Sequence, residues 1–502
     1  MYPLSRQLTQ GQLWLIFSAL LCIHVMPLLL ADLPYLDDYW RQQLAANDWV
    51  TLGRPLAAAL FAGLGFGPGA PDLYPLPLLL AIVVTADGFA RLVRFWFNVP
   101  DISALMVVLP LWFQPFFLQN LTYQYDSASM ALSLTACVWA LCLGVARARD
   151  WVLGTLLVVA GAGFYQVSFN VFAGLCAVEL MRQVINGASL RQASSHAVKR
   201  LGQLIGGCVL YYLAGVWMIK DARNRQDILA FDGQWFTQIY QRLEGVAGSL
   251  GLLVTSRTEW MILSLLFVAL LALRSELTRL WQRPFSRGQH ICLSIALLVP
   301  IPLVVLSIPG FLLLLGVFEG GLRVYMGLGV LLVLLLFLVH RALASMPRVR
   351  LMVMALPLLF MLAFSFAYGR YLVLYKELQQ AVTYSLAHDV SSTPELASAQ
   401  HYYLLDYWLS NAWLPAARGT LKAFPAIENV FSFSYLLLPE MLPRVGLDDF
   451  HTFSERTPLD REQVIRTSPV PLVRSKYYHI HMVGDAAYIL VKDPRRVESS
   501  KQ

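Results

Sequence analysis

The chain has 502 residues, 57% of them hydrophobic and only 14% charged, with a formal net charge of +7 and a mean hydropathy of +0.58. Soluble domains carry about 25% charged residues, so a soluble globular protein is excluded and a polytopic membrane protein is expected. The basic residues fall in short clusters between apolar runs, where membrane orientation uses them, which argues against nucleic-acid binding.

In chain order, apolar windows long enough to cross a hydrocarbon core of about 30 Å lie near 12–31, 74–91, 101–118, 127–146, 151–168, 169–185, 202–219, 259–274, 290–308, 322–341 and 351–369. They predict a mainly α protein of about eleven transmembrane helices. The first window follows Arg6 alone, is long for a signal-peptide core and lacks a small-x-small cleavage site, so it reads as an uncleaved span. The stretch "WVTLGRPLAAALFAGLGF" (49–66) is apolar too, but its glycines, Pro55 and Arg54 favour a helix lying along the membrane interface. All six cysteines lie inside apolar runs without metal-ligand spacing and read as packing residues.

Short cytoplasmic loops collect Lys and Arg. With the N-terminus inside, that side receives Arg6; Arg91 and Arg94; Arg147 and Arg149; Arg182, Arg191, Lys199 and Arg200; Arg274, Arg279, Arg283 and Arg287; and Arg341, Arg348 and Arg350. The opposite turns near 119–126 and 166–171 hold neither residue type. The expected division is a membrane region 1–370, with a first external loop at 32–73, and an extracytoplasmic domain 371–502. In that domain the composition turns mixed, and "KYYHIHMVGDAAYILVK" places two β-prone runs around Gly484–Asp485 as a hairpin. Small mixed α/β structure is expected there. No internal or inverted repeat of the kind many transporters carry is visible.

The candidate chemistry starts in "LPYLDDYWRQ" (33–42), where Asp37 to Arg41 is an i,i+4 spacing and Asp38 to Arg41 an i,i+3 spacing. Arg41 can hold one acid while the other serves as a general base, and two close carboxylates raise the proton affinity of one of them. An Asp near Pro34 at a helix start is also a capping residue. "QNLTYQYDSASMAL" puts Tyr125 and Asp126 at the mouth of an apolar helix, where an acid is a candidate site residue. "TLGRPL" supplies Arg54, and "VFEGGLRVYMG" supplies Glu319 and Arg323; a guanidinium fork suits a phosphate, although snorkelling also explains such residues. "AGAGFYQVSFN" brings Tyr165 and Gln166 to a turn where phenol and amide could meet sugar hydroxyls, or simply pack.

The order of "DDYWR", "GRPL", "YDSASMAL", "FYQVS" and "LRVYMG" resembles the glucosyltransferase family of serotype-converting bacteriophages and Gram-negative bacteria, the Gtr type II-like proteins. The likeness covers most of the membrane region and thins in the tail. It implies a C-type (GT-C) membrane glycosyltransferase of the bacterial inner membrane with a periplasmic C-terminal domain, an undecaprenyl-phosphate-linked glucose donor and a lipid-linked O-antigen acceptor. Carried onto this chain, the resemblance makes Asp37 and Asp38 the catalytic acids. Arg54, Asp126 and Arg323 match positions expected around the donor. Together with the residue reading, Arg41, Arg54 and Arg323 are candidates for the donor phosphate, and Asp126, Tyr125, Tyr165, Gln166 and Glu319 for sugar or acceptor contacts. The expected reaction is an inverting transfer in which one acid deprotonates the acceptor hydroxyl. The arginines could serve the phosphate without a metal, no cofactor is established, and a divalent cation, magnesium or manganese, on Asp37 and Asp38 stays open. An O-antigen polymerase or ligase, and a lipid or sugar flippase or transporter, are the rival readings.

Overall fold

A computed structural model of the full chain describes residues 7–215, 227–318, 320–409, 413–433, 435–447, 450–452 and 459–493. The chain forms two compact units, one of residues 1–29, 41–366 and 425–430, the other of residues 30–40, 367–424 and 431–502.

The first unit is helical. Among the described residues, six helices are long and apolar enough to cross a membrane: Gln10–Ala31, Leu76–Trp96, Ser168–Ile185, Glu259–Trp281, Arg287–Leu306 and Pro347–Ser392. Shorter apolar helices span Pro55–Leu64, Ile102–Phe113, Asp126–Cys142 and Gly327–Ala342. Several predicted windows are reshaped, and proline is the main cause, because it lacks an N–H and clashes with the preceding turn. The window 101–118 becomes Ile102–Val108, Pro110–Phe113 and Phe117–Thr122, and the window 290–308 divides into Arg287–Leu298 and Pro300–Leu306. The window 322–341 opens with a 3-10 turn, Leu322–Val324, and its α-helix starts only at Gly327. A Cβ at Gly327 would lie 2.2 Å from the Ser307 carbonyl oxygen, so the chain crosses there at backbone contact distance. The last window extends at both ends into the 46-residue helix Pro347–Ser392, because "KELQQAV" beyond residue 375 continues in good helix formers.

Contacts at the helix ends of this unit join two sets of loops. In one set, Arg350 pairs with Asp101 at 3.0 Å, Arg341 with Glu276 at 2.8 Å, and Arg182 with Glu179 at 2.8 Å. There Arg200 also donates to the carbonyls of Ala140, Leu141 and Leu143, and Arg283 to those of Val184 and Ile185. These are the loops expected to be cytoplasmic. In the other set, Asn170 donates to the Pro309 carbonyl and accepts from the Phe311 N–H, and Arg242, on the helix Trp235–Gly251, donates to the carbonyls of Leu313, Leu315 and Gly316. Gly310 sits at φ +52° with its Cα face against Asn170, where a Cβ would fall 1.9 Å from Oδ1. Gly310→Ala is therefore expected to cost at least about 1–3 kcal/mol through backbone strain and overpacking. Thermal unfolding of the purified variant beside Gly248→Ala, where an added Cβ meets nothing within 4 Å, checks this.

The second unit holds a five-stranded sheet in the order β2-β1-β5-β4-β3, with β1 His401–Leu405, β2 Phe450–Thr452, β3 Val473–Arg474, β4 Tyr478–Val483 and β5 Ala486–Val491. β4 and β5 form the expected antiparallel hairpin, with Val483 opposite Ala486 and Gly484 at φ +63° in the turn. β1 runs parallel to both β2 and β5, a pairing that needs long connections and leaves no local trace. Alternate side chains face opposite ways: Leu404, Ile480 and Ile489 pack with Val382, Leu386 and Val390 of the long helix, and Tyr403, Tyr488 and Leu490 pack with Val464. Tyr478 fixes the helix to the sheet through its hydroxyl, 2.7 Å from Asp389 Oδ2.

Candidate functional site

In the second unit, the chain turns at Leu36, whose φ is +50°, and the helix Asp38–Leu44 begins one residue after Asp37. The two neighbouring acids are thereby placed in different surroundings. Asp38 is fully buried, and its Oδ2 accepts the Tyr35 N–H at 2.9 Å, closing the turn. Asp37 is exposed and precedes the helix. Asp37 thus stands one residue ahead of the helix that carries Arg41, where the i,i+4 rule for helical residues does not by itself align the two side chains. Tyr39 is buried beside Asp38, and its phenol is pushed up well above the ordinary value by burial, so it stays a neutral O–H donor, 3.4 Å from Gln379 Oε1.

In the first unit, several of the sequence candidates are brought together. Arg54 is the N-cap residue of Pro55–Leu64, and Asp126 opens Asp126–Cys142. An acid in a first turn usually serves the helix's own N–H groups. Asp126 Oδ1 instead accepts from Arg54 Nη1 at 3.1 Å and from the indole Nε1 of Trp49 at 2.8 Å. Arg54 Nε donates to Gln166 Oε1 at 3.3 Å, and Gln166 Nε2 donates to the Leu52 carbonyl at 2.7 Å. Tyr165 places its ring 4.7 Å from the Arg54 guanidinium carbon. Among the described residues, Arg54 Nη2 has no hydrogen-bond partner, and the side chain is 17% exposed.

Trp49 is the hub that sequence reasoning missed. It is fully buried, stacks on Phe61 at 4.8 Å and 11°, and has Tyr125 6.3 Å away. Its other face carries Arg41, whose guanidinium carbon lies 4.2 Å from the ring. Arg41 is buried and reaches Asp48 at 2.5 Å, seven residues on, a partner that helical spacing rules do not supply. The available signal was a tryptophan next to Asp48 in a polar turn ahead of an apolar helix.

Arg323 stands at the 3-10 turn Leu322–Val324. Its N–H donates to Gln119 Oε1, its carbonyl accepts from Asn120 at 2.9 Å, and its Nη1 meets the Tyr123 hydroxyl at 2.5 Å. It is thus held against the 119–123 segment that leads into Asp126. Glu319 lies outside the described residues. Among the described residues, no three or more His, Cys, Asp or Glu side chains gather as a metal site.

The family model for glucosyl transferase GtrII matches residues 26–334, a stretch that contains the acid turn, the Arg54–Asp126 cluster and Arg323. Over 205 residues the chain is 27% identical to a Salmonella phage P22 protein described as an uncharacterized 55.3 kDa protein in the gtrB 5' region, a match covering 41% of each chain. The chain thus matches about two fifths of that relative's length. No solved structure matches.

Proposed function

The chain belongs to the glucosyl transferase GtrII family, and from that membership we propose that it transfers glucose or a related hexose, with inversion, from an undecaprenyl-phosphate sugar to a lipid-linked O-antigen or similar surface glycan. The setting is the periplasmic face of the bacterial inner membrane, with the N-terminus cytoplasmic, the C-terminal domain periplasmic and about eleven spans of GT-C type. Nucleotide sugars are absent from that compartment, so a lipid carrier has to bring the donor.

Asp37 is the general base in this reading. It removes the acceptor hydroxyl proton as the oxygen attacks the anomeric carbon, the bond to the donor phosphate breaks, and the phosphate leaves with the bonding electrons on the opposite face. Asp38 positions the turn that presents Asp37. Arg54 and Arg323 face the phosphate charge, with Arg41 supporting the fold around Trp49, and Tyr125, Tyr165, Gln166 and Asp126 are the candidates for contacts to the sugars. Guanidinium donors suit a leaving phosphate because they stabilise charge that grows in the transition state.

The observation that carries the reading is the assembly of Arg54, Asp126, Tyr165 and Gln166 within the stretch the family match covers. Mass spectrometry of the surface glycan with and without the gene, together with transfer by the purified protein from undecaprenyl-phosphate glucose, tests it. One added hexose per repeat is expected. Changed chain length without added hexose would favour a polymerase or ligase, and an unchanged glycan would favour transport.

A further inference from the structure

A narrow groove of about 230 Å³ lies in the first unit between the helices Pro55–Leu64, Ala148–Phe164 and Leu190–Gly215. Leu156, Val159, Ala160 and Gly163 line it from the second of these at i, i+3, i+4, i+7 spacing. One helical face therefore runs along the groove for about 10 Å, at about 1.5 Å per residue. Tyr211, Ala214 and Gly215 line it from the third helix, and the first contributes Pro55 and Leu56, the two residues that follow Arg54.

The two ends of the groove differ in chemistry. The Tyr211 hydroxyl is the one polar side-chain group of the described lining, and it donates to the Gly53 carbonyl at 2.7 Å. That bond, Pro55 and Gly163 set one end beside Arg54 and Tyr165. There the Arg54 guanidinium carbon lies 4.7 Å from the Tyr165 ring, and its Nε donates to Gln166 at 3.3 Å. Toward the other end Leu156 is 51% exposed, and Val152 and Leu153 one turn earlier are exposed too. The groove thus opens onto the face that hydrocarbon covers in a membrane-spanning helix.

A crevice that is apolar along its length, with a guanidinium, an amide and a phenol at one end, matches a lipid carrying a phosphosugar head. Its volume falls below the about 300–1,000 Å³ of sites that enclose a drug-sized molecule, so it takes the start of one chain rather than the paired chains of a phospholipid. Ala160, Gly163, Ala214 and Gly215 leave clearance for the methyl branches of an isoprenoid. We propose that this groove holds the first isoprene units of the carrier lipid and directs its phosphosugar head to Arg54 and Gln166. The assignment rests on the glycosyl-transfer reading for the identity of that lipid as the donor. Because a prenyl tail is already surrounded by hydrocarbon, what the groove supplies is close packing and a fixed direction of approach.

The full chain in lipid nanodiscs is photolysed with undecaprenyl-phosphate glucose carrying a diazirine on the isoprene unit nearest the phosphate, and peptide mass spectrometry maps the adducts. Adducts are expected in 156–163 and 211–215. Ala160→Phe and Ala214→Phe, which fill the groove from two different helices, are each expected to lower their yield by about tenfold. Leu263→Phe, at a 64% exposed position on the helix Glu259–Trp281, leaves the yield unchanged. Adducts confined to other segments, or an unchanged yield in both filled variants at matched melting temperatures, overturn the proposal. Displacement of the probe by phosphatidylglycerol as readily as by undecaprenyl phosphate also overturns it, since that marks an ordinary lipid site. Adducts in the expected segments without hexose transfer uphold the groove and strike the proposed function instead.

Discussion

Asp37→Asn is expected to lower hexose transfer by about 10² to 10⁴, the usual contribution of a positioned general base, without changing insertion or melting temperature. The side chain is exposed and precedes the helix Asp38–Leu44, and an amide keeps its shape while removing the basic carboxylate. Asp38→Asn should behave differently. Its buried carboxylate accepts the Tyr35 N–H. An amide can retain that bond through its oxygen but adds two buried donors that need partners, at a cost of about 1–3 kcal/mol. The expected signature is a lowered melting temperature, with transfer lost in proportion to misplacement of the turn. Assays across pH sharpen the contrast: Asp37→Asn should abolish the acidic limb of the rate profile, whereas Asp38→Asn should leave a limb in place at reduced height. Wild-type transfer by both variants would remove the acid turn from the mechanism.

The different surroundings of the two acids, one buried and one exposed, could not be read from "DDYWR" alone. Spacing rules describe residues already in a helix, and the helix start, one residue after Asp37, is set by the turn at Leu36 with its positive φ. The same limit explains Trp49 and Asp126, whose bond joins residues 77 positions apart, since periodicity has no record of such pairs. What was legible was local. Arg54 between Gly53 and Pro55, Asp126 at the mouth of an apolar helix and Gly484 in a hairpin turn each carried a signal within a few residues. Pro110, Pro115 and Pro300 were equally visible, yet hydropathy windows average over them, which is why unbroken spans were expected where the chain kinks. The change of composition near residue 370 was real but marked no end of structure, because helix propensity continues to Ser392 after the apolar content falls.

Disrupting the Arg54–Asp126 pair is expected to be the most costly single change in the first unit. Asp126→Ala deletes the acceptor shared by Trp49 Nε1 and Arg54 Nη1, leaving an indole N–H buried without its partner and a cation largely removed from water. Breaking a buried pair from one side typically costs about 3–5 kcal/mol, a large part of a domain's usual margin of about 5–15 kcal/mol. Arg54→Ala should cost less, because Asp126 keeps the Trp49 bond, and Arg54→Lys should not restore transfer, since an ammonium cannot present the planar fork that reaches Gln166 and Asp126 together. If the pair acts as a unit, removing both partners should cost less than the two single changes added, with a coupling of about 0.5–3 kcal/mol in a double-mutant cycle read by unfolding of the detergent-purified protein. Additive losses would mean that each residue stabilises the fold through other contacts. Transfer measured on the same four proteins separates support from chemistry: a double variant that regains stability but not activity is expected where Arg54, with Nη2 directed to neither Asp126 nor Gln166, also meets the donor phosphate.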